Sequence, residues 1–521
     1  MTLEKDEKDK GTKRDGTQQS EETSPKISPP SLTKDQPPKD LEAALTLLKK
    51  SDDTSRFVGL ALLKPVLEQK LNDSSNAGVE ARSALVQRCW AAIPVKFIDR
   101  LLRARANDKR SKEEANNMVG LAVAILHAFM TLLDSPQTDE RFMGSIPILR
   151  ATLRSCPPET RSQIIDIFHI LVMTQEGSSA IFERGHKENK PDEEPESYLF
   201  ITMLLIDIRS TIPSVQEKLH SEESPATSER LSKAYDIISA FIGHLIRSLE
   251  TTIPMPIDLL LKLRTNISET LSLTIEHLRD RHDSSTAGAA GLHPSARAPS
   301  DTSSSTPLPI AWDTSTGLSN DPLTLSQLRT LSLWLRDEEN NPLRQEASGI
   351  MDVLLALYQH DGAQDFRFPV LVALEGILET SHGIGAFLQN EGWPPLAKDL
   401  ATILPQPANH GLGIEIVRTL LTVAESDITG PPKEDWMSIV TLAQTSLTGS
   451  TQVSAPELPI AVSQLAIELL TRAPRGMQKR YRVPAQDLLR AARMLSGKSD
   501  VREEDRDGLE EVVEGLLGLG L

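Results

Sequence analysis

Three stretches of the sequence bring together side chains that could do chemistry. Glu276, Asp280 and Asp283 recur at i, i+4 and i+7, with His277 and His282 beside them, so one helix flank could offer three carboxylates and an imidazole to a metal ion. All of them lie on a single element, and without ligands from a second one the plainer reading is a charged, frayed helix end running out into a linker. Ser496 to Ser499 spells SGKS, half of a phosphate loop, but the first glycine would fall at Ala492 and no strand precedes it, so a helix stopped by Gly497 accounts for the run. Gly383 with Gly385, and Gly411 with Gly413, lack the third glycine of a dinucleotide fingerprint and mark helix boundaries. Cys89 and Cys156 allow at most one disulfide and no four-cysteine zinc site, point to a reducing compartment, and read as small buried hydrophobes. His127, His169 and His244 fall in apolar helical stretches, as hydrogen-bonded core residues do. The sequence contains no nucleophile elbow, zinc-protease helix or calcium loop, so we expect no catalytic residue, no cofactor and no metal, and a protein that is not an enzyme.

Charge is more informative. The 521 residues carry 56 Lys and Arg against 73 Asp and Glu, a net charge of −17, and only 4% are aromatic. That balance argues against RNA or DNA, whose recognition calls for basic faces and aromatic platforms. Against the acidic background stand two basic islands. Lys96, Arg100, Arg103, Arg105, Lys109, Arg110 and Lys112 face only Asp99 and Asp108, and Lys96, Arg100 and Arg103 share a helix face opposite Ile98, Leu101 and Leu102. Arg472, Arg475, Lys479, Arg480 and Arg482 have no acid among them and include Tyr481. Either island suits an acidic or phosphorylated segment of another protein, and either is equally consistent with a solvated helix face or turn.

The elements that position these residues read as helices throughout. Leu41, Ala44, Leu45 and Leu48 follow the i, i+3, i+4, i+7 rule, and Ile257 to Leu278 continue it for six turns. Ser111 and Glu114 form a capping box ahead of the apolar run Gly120 to Leu133, which is too short to span a bilayer and reads as a buried inner helix. Leu509, Val512, Val513, Leu516 and Leu517 predict a capping helix at the C-terminal end. An apolar residue followed by proline recurs at Pro94, Pro147, Pro213, Pro254, Pro405 and Pro459, where it is expected to open a helix. Most of these spacings approach or exceed the length of HEAT and armadillo units, which predicts an all-α solenoid of stacked helical hairpins. Residues 1–38 and the Ser/Thr/Pro-rich 281–321 lack the apolar side chains to order themselves and are expected to be a disordered tail and linker. They frame two helical halves, 39–280 and 322–521, with Glu183 to Ser197 an acidic loop between helices. The charged N-terminus has no secretory apolar region and position 2 is Thr, so a cytoplasmic protein is expected, with the nucleus also open.

LEAALTLLKKSDDTSRFVGLALLKPVL (Leu41 to Leu67), IPVKFIDRLL (Ile93 to Leu102), GLAVAILHAFM (Gly120 to Met130) and IPILRATL (Ile146 to Leu153) resemble, in this order, the N-terminal part of the neurochondrin family. The best-matching signature is Asp52, Asp53, Arg56 and Phe57 followed by an apolar helix containing Lys64. The resemblance covers roughly residues 41 to 480, and its motifs are packing motifs. It implies an intracellular, armadillo-like scaffold or adaptor that binds other proteins, with a link to signalling. The Ser/Pro linker and acidic insertion depart from the animal relatives and suit a fungal or other non-animal member, so their neuronal role is not carried over. The same fold also serves karyopherin-like transport adaptors, which tolerate acidity, and fold alone leaves room for an enzyme with an unfamiliar site.

Overall fold

The computed structural model describes residues 39–72, 79–106, 111–133, 136, 139–183, 195–217, 221, 223–249, 255–287, 321–337, 339, 341–448, 457–498 and 502–520. Among these no strand occurs, and 23 α-helices follow one another. They are α1 (Lys39–Leu48), α2 (Asp53–Asn72), α3 (Val79–Ala92), α4 (Val95–Leu102), α5 (Lys112–Leu132), α6 (Glu140–Leu153), α7 (Pro158–Val172), α8 (Gln175–Glu183), α9 (Glu196–Glu217), α10 (Ser224–Leu249) and α11 (Ile257–Ala287). After the interval come α12 (Pro322–Asp337), α13 (Asn341–Ser348), α14 (Met351–Tyr358), α15 (Arg367–Leu378), α16 (Ser381–Gln389), α17 (Trp393–Ile403) and α18 (His410–Glu425). The array ends with α19 (Ser438–Thr448), α20 (Glu457–Arg472), α21 (Arg475–Arg480), α22 (Arg482–Ser496) and α23 (Glu503–Gly518).

Side-chain oxygens start several of these helices by accepting N–H groups that have no partner inside the first turn. Asp52 accepts from Ser55 at 2.7 Å, Ser111 from Glu114 at 3.1 Å, Thr380 from Gly383 at 3.0 Å and Asp321 from Leu323 at 3.1 Å. The apolar stripes then stack. One series, α2, α5, α7, α10, α12, α15, α18, α20 and α23, runs the length of the array with each helix packed on the next. The most extensive of these junctions is α10 against α12, which spans the interval between the two halves and makes them one continuous stack. Gly376 of α15 lets that series close up, since a Cβ there would lie 2.2 Å from the Leu335 carbonyl oxygen of α12. A second, less regular series (α4, α6, α9, α11, α13, α16) flanks the first. At the far end α23 buries Leu509, Val512 and Leu516 against α20 and α22, with Val513 half-buried and Leu517 left 48% exposed.

The structure corrects three expectations. Pro94 and Pro459 stand at helix starts, but Pro147 and Pro213 lie inside α6 and α9, and Pro405 follows the end of α17. Pro254 lies outside the described residues. An interior proline costs about 3 kcal/mol, yet burial of Ile146, Ile148 and Leu149 around Pro147, and of Ile212 and Val215 around Pro213, holds each helix together. A better ruler for the repeat is the contact that links one hairpin to the next: Arg88 to Glu42, Trp90 to Asp139 and Gln464 to Glu511 join residues 46, 49 and 47 positions apart.

Second, α5 begins eight residues before Gly120, so it and the segment Glu196–Val215 are long and apolar enough to cross a membrane. In α5 the residues Val119, Val123, Ile125, Leu126 and Phe129 are fully buried in the array, as an inner helix requires. Third, α11 continues to Ala287, so 281–287 belong to the folded array together with Asp321, and the interval left outside the described residues is 288–320.

Candidate functional site

The N-terminal island behaves as two populations. Ile98, Leu101 and Leu102 are buried, which turns Lys96, Arg100 and Arg103 of this segment outward. Arg100 is held at 2.7 Å by Asp53 of α2, and its guanidinium lies 5.7 Å from the Phe97 ring centroid. Arg105 donates its Nε to Asn116 at 2.7 Å. Lys96, Arg103 and Lys112 are exposed, with Arg103 acting on the neighbouring Asp99, while Lys109 and Arg110 lie outside the described residues. The acidic signature of the same region is structural: Asp52 caps α2, and Asp53 ties α2 to α4.

In the C-terminal island Arg472 is committed to Glu468 at 2.5 Å and to the carbonyls of Glu425 and Ser426, and Arg480 to Glu434. Arg475, Lys479 and Arg482 are exposed. Continuing past the island, α22 presents Arg490, which pairs with Asp487, and Arg493, together with the protruding side chains of Val483 (65% exposed) and Met494 (72% exposed).

Sequence reasoning missed a groove of about 590 Å³ across α7, α10 and α12. Its walls carry His169 with Asp236 at 3.0 Å, and Lys233 bonded at 2.8 Å to both Asp166 and Glu229. Burial pulls Lys233 down, but its two carboxylate partners outweigh that and leave its pKa raised. Asp166 also faces His127 at 3.6 Å, and burial keeps that imidazole below its ordinary value. Ser232 meets Ser326 at 2.8 Å, closing α10 on α12. Ser228, only 4% exposed, and Gln364 line this groove, and their side-chain oxygens are buried without a hydrogen-bond partner, while Arg329 is exposed at its rim. The only sequence signal was Ser224, Ser228 and Ser232 spaced by four along one face of an otherwise ordinary amphipathic helix.

The charged end of α11 is folded into the array rather than frayed. Among the described residues no group of three or more His, Cys, Asp or Glu is placed to hold a metal ion. Instead Arg281, fully buried, donates to Asp321 at 3.3 Å, and Thr324 donates to the same carboxylate at 2.9 Å. His277 faces the Gln327 oxygen at 3.0 Å, and Tyr235 faces Thr274 at 2.8 Å, all within a buried polar layer between α10, α11 and α12. Cys89 and Cys156 are buried free thiols, and burial pushes both above the usual thiol value. Gly497 stops α22 as expected.

The model of the Neurochondrin family matches the chain over residues 35–188 and 177–471. No curated protein matches it in sequence. Among solved structures, one described as an engineered protein superposes with a TM-score of 0.52 at 12% identity, over 92% of this chain and 99% of that one. A structure from work on a phosphorylation switch between cadherin and beta-catenin reaches 0.49 at 14% identity, over 92% and 85% of the two chains.

Proposed function

Because the chain belongs to the neurochondrin family, we propose that it is a non-enzymatic scaffold whose stacked helices hold segments of other proteins, and that the groove across α7, α10 and α12 receives one such segment in extended form. The observation that carries this reading is the groove itself, open along three stacked helices and walled by ionic side chains that are already paired with each other. A stack of hairpins presents a long surface of this kind without needing a closed pocket. Arg329 at the rim adds one cation for an acidic side chain of that segment.

Filling the groove with Ser228→Trp should remove partners recovered by crosslinking and mass spectrometry of the native protein, while Arg329→Glu should remove a subset. An unchanged partner list at unchanged melting temperature would overturn the groove as the contact.

The basic island on α4 and the start of α5 supports a second contact, with an acidic or phosphorylated protein segment, through its exposed members Lys96, Arg103 and Lys112. Steering of such an encounter falls as salt rises. Reversing these three to Glu should therefore weaken binding and abolish its salt dependence.

A further inference from the structure

We propose that α22 and the turn before it form a docking face for anionic lipid bilayers. This inference goes beyond the protein-binding groove and does not depend on it. Residues 472 to 498 hold eight Lys and Arg against one acid, Asp487, in a chain of net charge −17. One side of α22 is committed to the fold: Ala485, Leu488, Leu489, Ala492 and Leu495 are buried against α19 and α23. Val483, Arg490 and Met494 stand at i, i+7 and i+11, which brings them to one stripe on the opposite side, with Arg482 and Arg493 along its flank. Val483 is 65% and Met494 72% exposed, the latter among the most exposed large hydrophobic side chains described. Arg475 and Lys479 extend the cationic surface along α21, directly before the stripe.

The two kinds of side chain together decide the ligand. A phosphopeptide or acidic segment would use the cations and leave Val483 and Met494 unexplained. An anionic bilayer uses both: headgroups draw the cations to the surface, and apolar tips enter the boundary between headgroups and acyl chains. The exposed acids of the neighbouring α23, Glu503, Glu504, Asp507, Glu510, Glu511 and Glu514, repel the same surface. They restrict contact to the α21–α22 side and so fix the orientation of the docked array.

The test is co-sedimentation of the full chain with vesicles of phosphatidylcholine alone and of phosphatidylcholine mixed with phosphatidylserine. We expect binding only to the mixed vesicles, weakened by salt, and lowered about tenfold or more by Arg475→Glu, Lys479→Glu and Arg482→Glu together. Val483→Ser with Met494→Ser leaves the charge unchanged and should also lower it. All five positions are exposed, and melting curves will establish that the variants fold. Should the triple variant melt lower, the milder Arg475→Gln with Lys479→Gln carries the test. Absence of binding to the mixed vesicles, or binding unaffected by the charge changes, overturns the proposal. So does capture by polyglutamate that needs the cations but not Val483 and Met494, which would make this a face for acidic proteins.

Discussion

The end of α11 and the turn from α21 into α22 look alike as sequence: each is a dense run of charged residues beside an amphipathic helix. In the fold they part company. At α11 the charge turns inward, with Arg281 and Asp321 both essentially inaccessible and paired with each other, and Thr324 and the Leu323 N–H completing the carboxylate's bonds. At α21 and α22 it turns outward, and Arg475, Lys479 and Arg482 stand in solvent. The first arrangement costs desolvation and returns it only while both partners remain. The second costs almost nothing to the fold and is free to meet another surface.

The largest effect should come from breaking the buried pair. Asp321→Ala removes the buried carboxylate paired with Arg281 and the cap of α12, and should lower stability by about 3–5 kcal/mol in urea unfolding. A loss below about 1 kcal/mol would mean that the α11 end behaves like a surface pair, and the contrast would fail. Gly376→Ala gives an uncharged yardstick from the same part of the stack. Its new Cβ meets the Leu335 carbonyl, and a cost of about 1–3 kcal/mol is expected in the same experiment.

Next comes pH. Burial holds His277 below its ordinary value, against the opposing pull of Asp321 and Asp280 and with Arg281 adding to the fall, so the folded state keeps the ring neutral. Its contribution is therefore full above the unfolded value of about 6.5 and is lost as pH falls toward the folded one, with a slope of at most about 1.4 kcal/mol per pH unit. His277→Gln should flatten that part of the pH–melting curve. Smaller still is the exposed pair Arg100 and Asp53, where a double-mutant cycle should return about 0.2–1 kcal/mol. Arg482→Glu closes the series, with stability expected to stay within about 0.5 kcal/mol of the wild type.

Helical periodicity was enough to read the helices, the inner burial of α5 and the buried face of α23, because each depends on residues within a few turns of one another. Proline position was a weaker guide, since Pro147 and Pro213 are carried through helix interiors by the packing on either side. What lay beyond local pattern was pairing across a hairpin. Arg100 meets Asp53 and Arg480 meets Glu434, separations of 47 and 46 residues, and a count of charges in a window cannot tell these neutralised arginines from Arg103 or Arg475. The groove was hidden for the same reason: His169 and Asp236, or Lys233 and Asp166, are 67 residues apart. The burial of Arg281 was the hardest to see, because its partner lies across an interval whose composition spoke only of solvent.

Arg281 and Asp321 are in contact, and α11 runs six residues further to Ala287, so the described chain on either side of residues 288–320 is held together close to one ion pair. For an interval closed in this way the entropic cost rises only with the logarithm of its length, about 0.6 kcal/mol for each doubling. If that cost governs, insertions or deletions between residues 287 and 321 are expected to change the melting temperature of the helices on either side little, provided Arg281 and Asp321 are kept.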